Sequence, residues 1–473
     1  MDKSAAHIHR SWQGEVREAL ADFIRLPAKS PAFDPAWQAN AYLEEAATRF
    51  LEWALAQPVT GMRAELLTSE GRTPLLFIEV AATSGDAGAG TVLLYGHLDK
   101  QPELFGWETG LGPWSPVLAA DRLYGRGGGD DGYALFSALT AIAALQAAGR
   151  PHGRCLLLIE ASEESGSHDL PHYIELLGAR IGSPELVLCL DSWCGNYDQL
   201  WCTTSLRGLV GGTLEVEVLT EGVHSGDAGG VVPSPLRLLR QLLDRVEDAA
   251  SGEVRLEACR VSIPAERIAE AAAAAAALGA TVHARFPFAG GTRPDRLDGA
   301  ELVLNRSWRP AFTLTGAEGL PPIADAGNVL LPRISVKVSL RLPPTCDPLR
   351  AKAELEQRLT EDPPCGATIR FRADWAAAGW HAPPLSHWLR QSLEQSSRTR
   401  FGRSVMFQGE GGTIPFMAML AQRFPKAEFV VTGVLGPQSN AHGPNEFLHL
   451  PTAERLTQCV ADLIADHAVA HTG

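Results

Sequence analysis

Short apolar runs alternate with helical segments in the first half of the chain, and this alternation limits the possible folds more than any other feature. The runs TVLLYGHLD (91–99), RCLLLIEASEE (154–164) and ELVLCLDS (185–192) are continuously apolar and then end in polar residues. Such runs are typical of strands buried on both faces of a sheet. Helical patterns at about 131–148 and 169–180 separate them. Strand and helix in this order predict an α/β fold with a mostly parallel, doubly wound sheet.

The pattern changes after about Arg207, where alternating apolar and polar residues replace the continuous runs. Alternation of this kind is typical of antiparallel strands with one solvated face. We predict such strands at 209–220, 332–343 and 367–375, with helices at 235–249 and 265–278. A helix at 384–399, a buried strand at 426–433 and a helix at 451–468 then restore the first pattern. We therefore predict one domain formed by residues 1–207 and 380–473, with a smaller α+β domain inserted at 208–379.

The region before the first buried run has weaker signals. Apolar positions at helical spacing predict amphipathic helices at 7–26 and 36–57. An extended run at Pro74–Ala81 and a Gly-rich turn at 83–90 follow. The N-terminus shows no basic run followed by an apolar core, and no stretch of eighteen apolar residues occurs in the chain. We therefore expect neither a secretory signal nor a membrane span.

Composition excludes several classes of function. The 473 residues are 45% hydrophobic and 20% charged, a globular profile with ample material for a large core. The net charge of -14 argues against nucleic acid and anionic membranes as partners. The eight cysteines are scattered and form no C-x-x-C pair. Reduced, buried thiols in a cytoplasmic protein are therefore expected.

Acidic residues stand at the end of each of the three apolar runs, and the first run also ends with a histidine. The residues are His97 and Asp99 after the first run, Glu163 and Glu164 after the second, and Asp191 after the third. Asp130 and Asp131 stand at the predicted start of a helix, after the loop YGRGGG. Open α/β sheets bind ligands at the carboxyl ends of their strands, so we expect these side chains to converge.

Unneutralised carboxylates at such density repel one another, and divalent cations are the natural compensation. The ligand set holds carboxylate and imidazole but no thiolate, which suits zinc first, with manganese or cobalt as alternatives. Taken alone, Asp130 has an ordinary explanation as a helix N-cap. The recurrence of acids at successive strand ends favours a metal site.

The spacing within each pair also has a chemical reason. His97 and Asp99 are two apart on a strand and point to the same side, so one can bind a metal while the other hydrogen-bonds to it. Of the adjacent Glu163 and Glu164, one can hold a metal while the other acts as general base. A bridging carboxylate would hold two cations about 3.5–4 Å apart. The sequence therefore predicts two divalent cations per subunit.

Eight motifs in order resemble the M20 metallopeptidases, in particular the branch of carnosinase-type and other cytosolic dipeptidases. The motifs are GHLDKQP (96–102), YGRGGGDDGY (124–133), ASEESGS (161–167), LDSW (190–193), GVHSGDAGG (222–230), VSLRLPP (338–344), GEGGTIP (409–415) and NAHGPNE (440–446). Many members have a lysine after the acid pair, whereas Gly132 and Tyr133 follow it in this chain.

The resemblance implies a role for each metal-site residue. It assigns His97 and Asp191 to one cation, Glu164 and His442 to the other, Asp130 to the bridge between them, Glu163 to general-base catalysis and Asp99 to the orientation of His97. It also implies a cis peptide bond after the bridging acid.

The resemblance extends to substrate binding and assembly. It implies that residues 1–207 and 380–473 form a catalytic di-metal domain and that 208–379 form a lid and dimerisation domain. It implies that His224, in the inserted domain, donates to the scissile carbonyl of a neighbouring subunit in a homodimer. Arg341 would bind a substrate carboxylate with its planar fork. The loop GEGGTIP would line the pocket with Glu410 near a substrate amino group, followed by Gly411, Gly412 and Thr413.

We therefore expect di-metal-dependent hydrolysis of a peptide bond in dipeptides or short peptides. A water between the two metals would be the nucleophile, and Glu163 would take its proton. One alternative is an N-acyl amino acid amidohydrolase (a deacylase) with the same mechanism. A second, from another class, is a non-catalytic metal-binding protein. A nucleotide site at GRGGGDDG is disfavoured because two acids at a helix start repel phosphate.

Overall fold

The computed structural model describes residues 2–83, 90–296 and 298–471. Most of the Gly-rich turn predicted at 83–90 lies outside these residues. Up to residue 206 the described strands are β1 (Met62–Leu67), β2 (Leu75–Val80), β3 (Thr91–His97), β4 (Val117–Ala119), β5 (Arg122–Tyr124), β6 (Arg154–Glu160), β7 (Leu186–Cys189) and β8 (Trp201–Leu206). The helices of the same segment are α1 (Lys3–Gln13), α2 (Glu15–Ile24), α3 (Trp37–Asn40), α4 (Tyr42–Ala56), α5 (Tyr133–Ala148), α6 (Leu170–Leu176) and α7 (Gly178–Ile181).

The middle segment contains both helices and strands. Its strands are β9 (Gly208–Glu217), β10 (Val223–His224), β11 (Ala311–Glu318), β12 (Val329–Leu330), β13 (Arg333–Leu342) and β14 (Thr368–Ala377). Its helices are α8 (Ser225–Ala228), α9 (Pro235–Leu243), α10 (Ala265–Leu278), α11 (Thr281–Ala284), α12 (Gly299–Ser307) and α13 (Pro348–Thr360). The last segment supplies β15 (Trp380–His381), α14 (His387–Phe401), β16 (Met406–Glu410), α15 (Pro415–Arg423), β17 (Glu428–Val431), β18 (Phe447–His449) and α16 (Leu450–His471).

A large mixed sheet forms the centre of the chain, in the order β1-β2-β6-β3-β7-β17-β8-β15, with β16 beside β8. Its four middle strands, β6, β3, β7 and β17, run parallel, as the apolar runs predict. The flanking pairs are antiparallel, apart from the parallel pair of β16 and β8. Short connections such as the one between β1 and β2 permit only antiparallel pairing, because a parallel pair needs a long crossover.

Helices cover both faces of this sheet, which makes it doubly wound. One face packs against α1, α2, α4, α5, α14 and α16 in the larger apolar cluster. The other face packs against α6 and α15 in a second cluster. Helix α5 is buried around its whole circumference from Tyr133 to Leu145, which explains why its sequence is apolar on every side.

Two predicted helices are each divided in two. The helix expected at 7–26 breaks at Gly14, which takes φ -125° and ψ -106° between α1 and α2. The helix expected at 36–57 breaks at Ala41, where φ is 55°. None of the helices in the described ranges is long and apolar enough to span a bilayer.

The middle segment builds a separate four-stranded antiparallel sheet in the order β11-β13-β9-β14. Its apolar face packs against α9 and α13. Helix α10 leaves this sheet and contacts the large one, since its Ala274 packs with Cys194 and Trp201. The predicted domain boundaries at 207/208 and 379/380 stay a prediction, because α10 lies between them in the chain but packs on the large sheet.

Candidate metal centre

The predicted ligands lie at the carboxyl ends of the parallel strands, where the fold brings them together. His97 ends β3, Glu163 and Glu164 follow β6, and Asp191 follows β7. Gly96 allows this close packing, because a Cβ there would lie 2.4 Å from the Cβ of Ala134 and 2.7 Å from Oδ2 of Asp131. The strand can therefore pass directly against the start of α5 and the acid pair that precedes it.

Two groups of side chains have ligand atoms close enough to hold one cation each. The first group contains His97, Asp130 and Asp191, and the second contains Asp130, Glu164 and His442. In the first, Nε2 of His97 lies 3.5 Å from Oδ1 of Asp130 and 3.9 Å from Oδ2 of Asp191. In the second, Nε2 of His442 lies 3.0 Å from Oδ2 of Asp130 and 3.4 Å from Oε2 of Glu164. The two oxygens of Asp130 therefore face different groups.

The buried carboxylates of these groups repel one another, and a bound cation would compensate their charge. Nε2 of His97 is buried and has no hydrogen-bond partner among the described residues. Burial, followed by the charge of Asp130, raises the pKa of Glu164 to about 8. Burial also raises the pKa of Asp191 to about 6, with Asp130 again contributing. A divalent cation would remove the repulsion and supply the missing partner.

Asp130 favours the charged form of the two histidines, whereas it opposes the charged form of the neighbouring acids. Burial lowers the pKa of His442, but the hydrogen bond to Asp130 outweighs it and raises the pKa to about 9. The pKa of His97 is raised in the same way, by Asp130 and Asp99 acting against burial. Burial opposes ionisation of Asp130, yet the side chains of His442 and His97, which face its two oxygens, hold its pKa below the usual value. Asp130 is therefore the electrostatic centre of both groups.

Asp99 contacts the backbone of Glu163 and Glu164 as well as the histidine. Its carboxylate accepts hydrogen bonds from the backbone N–H groups of Glu163, at 3.1 Å, and Glu164, at 3.0 Å. Nδ1 of His97 lies 3.4 Å from this carboxylate and 3.1 Å from the backbone oxygen of Asp99. The predicted orienting role thus has the required contact, and one carboxylate also fixes the position of the two glutamates.

Glu163 and Glu164 have different partners although they are neighbours. Glu164 accepts a hydrogen bond of 2.6 Å from the amide of Gln101 and faces His442. The carboxylate of Glu163 makes no hydrogen bond or ion pair with the described part of the chain. Burial, followed by the charge of Asp191, raises the pKa of Glu163 well above its usual value. A partner-free carboxylate with raised proton affinity is suited to accept a proton.

Three residues that sequence reasoning missed support the centre. Arg126 and Glu446 form a buried ion pair, and Glu446 also accepts from the N–H of Gly127 at 2.8 Å. This pair joins the loop before Asp130 to the loop that carries His442. Gln101 is the third. All three stand inside the motifs quoted above, so their proximity to predicted ligands was an available signal. The peptide bond between Asp130 and Asp131 is cis.

Of the predicted substrate-binding residues, Arg341 and the loop from Glu410 to Thr413 lie together, whereas His224 lies on the separate strand β10. Glu410 is buried and accepts a hydrogen bond from Gln408. Arg341, on β13, donates to Oγ1 of Thr413 at 3.1 Å. Gly411 and Gly412 connect Glu410 to Thr413. His224 is exposed on the short strand β10, and its Nδ1 accepts from the N–H of Gly226. It belongs to neither ligand group, and its predicted role stays untested.

Cations bound in both groups would lie side by side with one aspartate between them, which is the arrangement of the two-metal hydrolases. The shared carboxylate is Asp130, in the turn before α5, and His97, Glu164 and Asp191 lie at the carboxyl ends of the parallel strands beside it.

Sequence comparison supplies the family within this class. The profile of peptidase family M20/M25/M40 matches residues 93–466, and the chain belongs to this family. The chain is 27% identical over 398 residues to the cysteinylglycine-S-conjugate dipeptidase of Corynebacterium striatum, covering 80% of this chain and 82% of that protein. It is 26% identical over 398 residues to the human Beta-Ala-His dipeptidase, covering 79% and 74%.

Solved structures agree with the fold. The Saccharomyces cerevisiae dipeptidase Dug1p superposes with a TM-score of 0.77 at 19% identity, covering 99% of each chain. The chain is therefore a metallopeptidase with the M20 fold. The family predicted from the motifs and the α/β fold class predicted from the alternating strands and helices are both confirmed.

Proposed function

We propose that the chain is a di-metal dipeptidase that hydrolyses the peptide bond of dipeptides or short peptides. One observation carries the proposal: Asp130 presents one oxygen to each of two ligand groups. The substrate class is supported by relatives that match about four fifths of the chain and are named as dipeptidases.

The two groups of ligands each provide a position for one cation. His97 and Asp191 would hold one cation, Glu164 and His442 the other, and Asp130 both. The donors are carboxylate oxygens and imidazole nitrogens without a thiolate, so we favour zinc, with manganese or cobalt also compatible. When bound, such cations polarise a carbonyl oxygen and lower the pKa of water towards about 7.

The side chains around the metals would perform the proton transfers. Glu163 takes a proton from the attacking water and later delivers it to the leaving amine. Asp99 holds the backbone of Glu163 in place through the hydrogen bond described above. Arg341 binds the substrate carboxylate and is positioned by Thr413. His224 donates a hydrogen bond to the developing oxyanion.

We further propose a homodimer formed through the inserted segment. His224 is exposed and outside both ligand groups, so a second subunit is needed to bring it to the scissile bond. The strand β11 is an edge strand with most of its residues exposed, and Leu314 is 42% exposed. An edge of this kind pairs readily with a second chain.

All eight cysteines are free, which supports a reducing location such as the cytoplasm.

Turnover by chelator-stripped protein tests the proposal. Zinc, manganese or cobalt would be added back, and hydrolysis of Ala-Ala, Cys-Gly and N-acetyl-alanine would be followed by release of free amino acid. We expect metal-dependent cleavage of the dipeptides and little of the acylated substrate. Cleavage of N-acetyl-alanine alone would identify a deacylase instead. Binding of two metals without any cleavage would contradict the enzymatic assignment.

A further inference from the structure

Four arginines surround the segment Glu410–Thr413, and we call them the arginine cluster: Arg207, Arg285, Arg306 and Arg341. Arg207 donates from Nε to the carbonyl of Gly411 at 3.2 Å, and its own carbonyl accepts from Thr413 at 2.6 Å. Thr413 also accepts from Arg341. The cluster is therefore tied directly to the predicted substrate loop.

The other two arginines approach the same loop and the metal centre. A Cβ on Gly411 would lie 3.2 Å from Cγ of Arg306 and 3.0 Å from Nη2 of Arg207. The guanidinium of Arg285 lies 5.2 Å from the ring centre of Trp193, two residues beyond the predicted ligand Asp191. The cluster thus extends from the predicted carboxylate subsite towards the strand end of β7.

None of these guanidinium groups forms an ion pair within the described ranges of the chain. Arg207 is only 8% exposed, and its Nη1 reaches just the backbone carbonyls of Asn305, at 3.4 Å, and Arg309, at 3.3 Å. Nε of Arg306 is buried with no hydrogen-bond partner. A cation withdrawn from water without an anion is costly, so Arg207 and Arg306 are suited to receive an anionic ligand. Arg285 is exposed and lies at the open side of the cluster.

The positive charges of the cluster also repel one another, which lowers the pKa of two of its arginines. Burial, followed by the charges of Arg341 and Arg306, lowers the pKa of Arg207 to about 10. Burial and Arg306 lower the pKa of Arg285, and Glu410 partly opposes this. Glu410 is the acid that counteracts the cluster, and it is already engaged by Gln408. A single substrate carboxylate on Arg341 would leave most of the positive charge uncompensated.

We propose that the arginine cluster recognises an acidic C-terminal residue, so that the preferred substrates are dipeptides ending in glutamate or aspartate. The α-carboxylate would bind Arg341 and the side-chain carboxylate would bind Arg306 and Arg285. Charged guanidinium–carboxylate pairs are strong and directional. Because these arginines surround the same loop as Arg341, the second acid is placed on the C-terminal residue, whose α-carboxylate Arg341 would bind. This inference rests on the proposed dipeptidase function and specifies its substrate.

Substrate pairs that differ only in charge or in order test this specificity. We expect kcat/KM for Ala-Glu to exceed that for Ala-Gln by about tenfold or more. Glu-Ala should not share the advantage. Equal turnover of Ala-Glu and Ala-Gln, or a preference for Glu-Ala, would overturn the inference while leaving the dipeptidase assignment intact.

Variants of the cluster test the residues themselves. Arg306→Gln and Arg285→Gln should each lower the ratio of kcat/KM for Ala-Glu over Ala-Gln by about tenfold. Arg403→Gln is the matched control, because Arg403 is exposed and faces Asp198 at 3.9 Å. If the cluster is instead neutralised by acids of a second subunit, the variants would alter the dimer in light scattering and leave the ratio unchanged. That result would contradict the inference.

A binding measurement separates this inference from the proposed function. Zinc-loaded Glu163→Gln protein would be titrated with free glutamate and with free glutamine in a calorimeter. We expect glutamate to bind about tenfold more tightly, and Arg306→Gln in the same background to abolish the difference. Equal binding of both amino acids would refute the acidic subsite. Failure of every dipeptide in the turnover assay would refute the proposed function instead.

Discussion

Glu163 and Glu164 show how strongly the surroundings of a single residue determine its role. Glu164 faces His442 and is held by Gln101, whereas the carboxylate of Glu163 has no partner in the described chain. Asp99 fixes the backbone of both. The adjacent pair in the sequence indicates one ligand and one base, but only the three-dimensional contacts distinguish the two glutamates without recourse to a resemblance.

Replacing Glu163 by glutamine should lower kcat by about 10³-fold, because the amide cannot accept the proton of the attacking water. The metal content should be unchanged. We would measure dipeptide turnover together with metal content by mass spectrometry. Glu164→Gln is the matched control and should lose metal as well as activity. Wild-type turnover by Glu163→Gln would exclude Glu163 as the base.

His467 should make the stability of the protein sensitive to acid. Its ring is fully buried between Trp388 and His471, and neither ring nitrogen has a hydrogen-bond partner in the described chain. Burial, followed by the charge of His471, lowers the pKa of His467 from 6.5 to about 3. Both His467 and the carboxylate of Glu185 lie beside Gly90. The Glu185 carboxylate accepts a hydrogen bond from the N–H of Thr91.

Since the unfolded chain binds the proton more readily, stability is lost as the pH falls below about 6.5 and the loss continues towards pH 3. Between about pH 7.5 and pH 5 this group should lower the free energy of unfolding by about 2 kcal/mol. Urea denaturation at both pH values checks this. His467→Phe should lose about 2 kcal/mol less than the wild type over the same interval, and an identical pH dependence would disprove the assignment.

At the level of elements, Lys100 joins the end of α2 to the metal-binding loops. Its ammonium is fully buried and donates to the carbonyls of Phe23, at 2.7 Å, and Leu26, at 2.8 Å. Its stem runs under Gly127, where a Cβ would lie 2.7 Å from Cε of the lysine and φ is 83°. The lysine therefore satisfies the end of a helix while supporting the loop that precedes Asp130.

Lys100→Met should reduce the free energy of unfolding by about 2–3 kcal/mol, because two buried carbonyls lose their donor. Urea denaturation of the metal-free protein would measure the change. Lys29→Met is a matched control, since Lys29 is partly exposed and pairs with Glu103 at 3.1 Å. The control substitution should lower the free energy of unfolding by about 1 kcal/mol or less. Equal effects of the two substitutions would argue against the support function of Lys100.

Elements also differ in how far their sequences predict them. Strands β3, β6 and β7 are apolar on both faces, so the sequence alone locates them. Strands β8 and β16 were not predicted, because Trp201–Leu206 and Met406–Glu410 contain polar residues that the neighbouring layers bury. Helix α10 was assigned to the inserted domain by its position in the chain, yet its Ala274 packs on the large sheet.

For the whole molecule, the proposed dimer predicts complementation between two inactive variants. Glu163→Gln lacks the base and His224→Ala lacks the oxyanion donor. If His224 acts across the interface, a mixed dimer contains one complete site. Random exchange of equal amounts should then restore about a quarter of wild-type activity. Light scattering would verify the dimer, and no recovery despite subunit exchange would mean that His224 does not act on the neighbouring subunit.

The sequence by itself determined the local features: the buried strands, the acids at their ends, the family motifs and the class of chemistry. These are encoded in residues close together in the chain, where periodicity and residue type suffice. Tertiary structure alone decided which oxygens of Asp130 face which histidine, which glutamate remains unpaired, and how Arg207, Arg285, Arg306 and Arg341 come to surround one loop. Those arrangements join residues that are distant in sequence, and only the packing of strands, helices and loops brings their charges together.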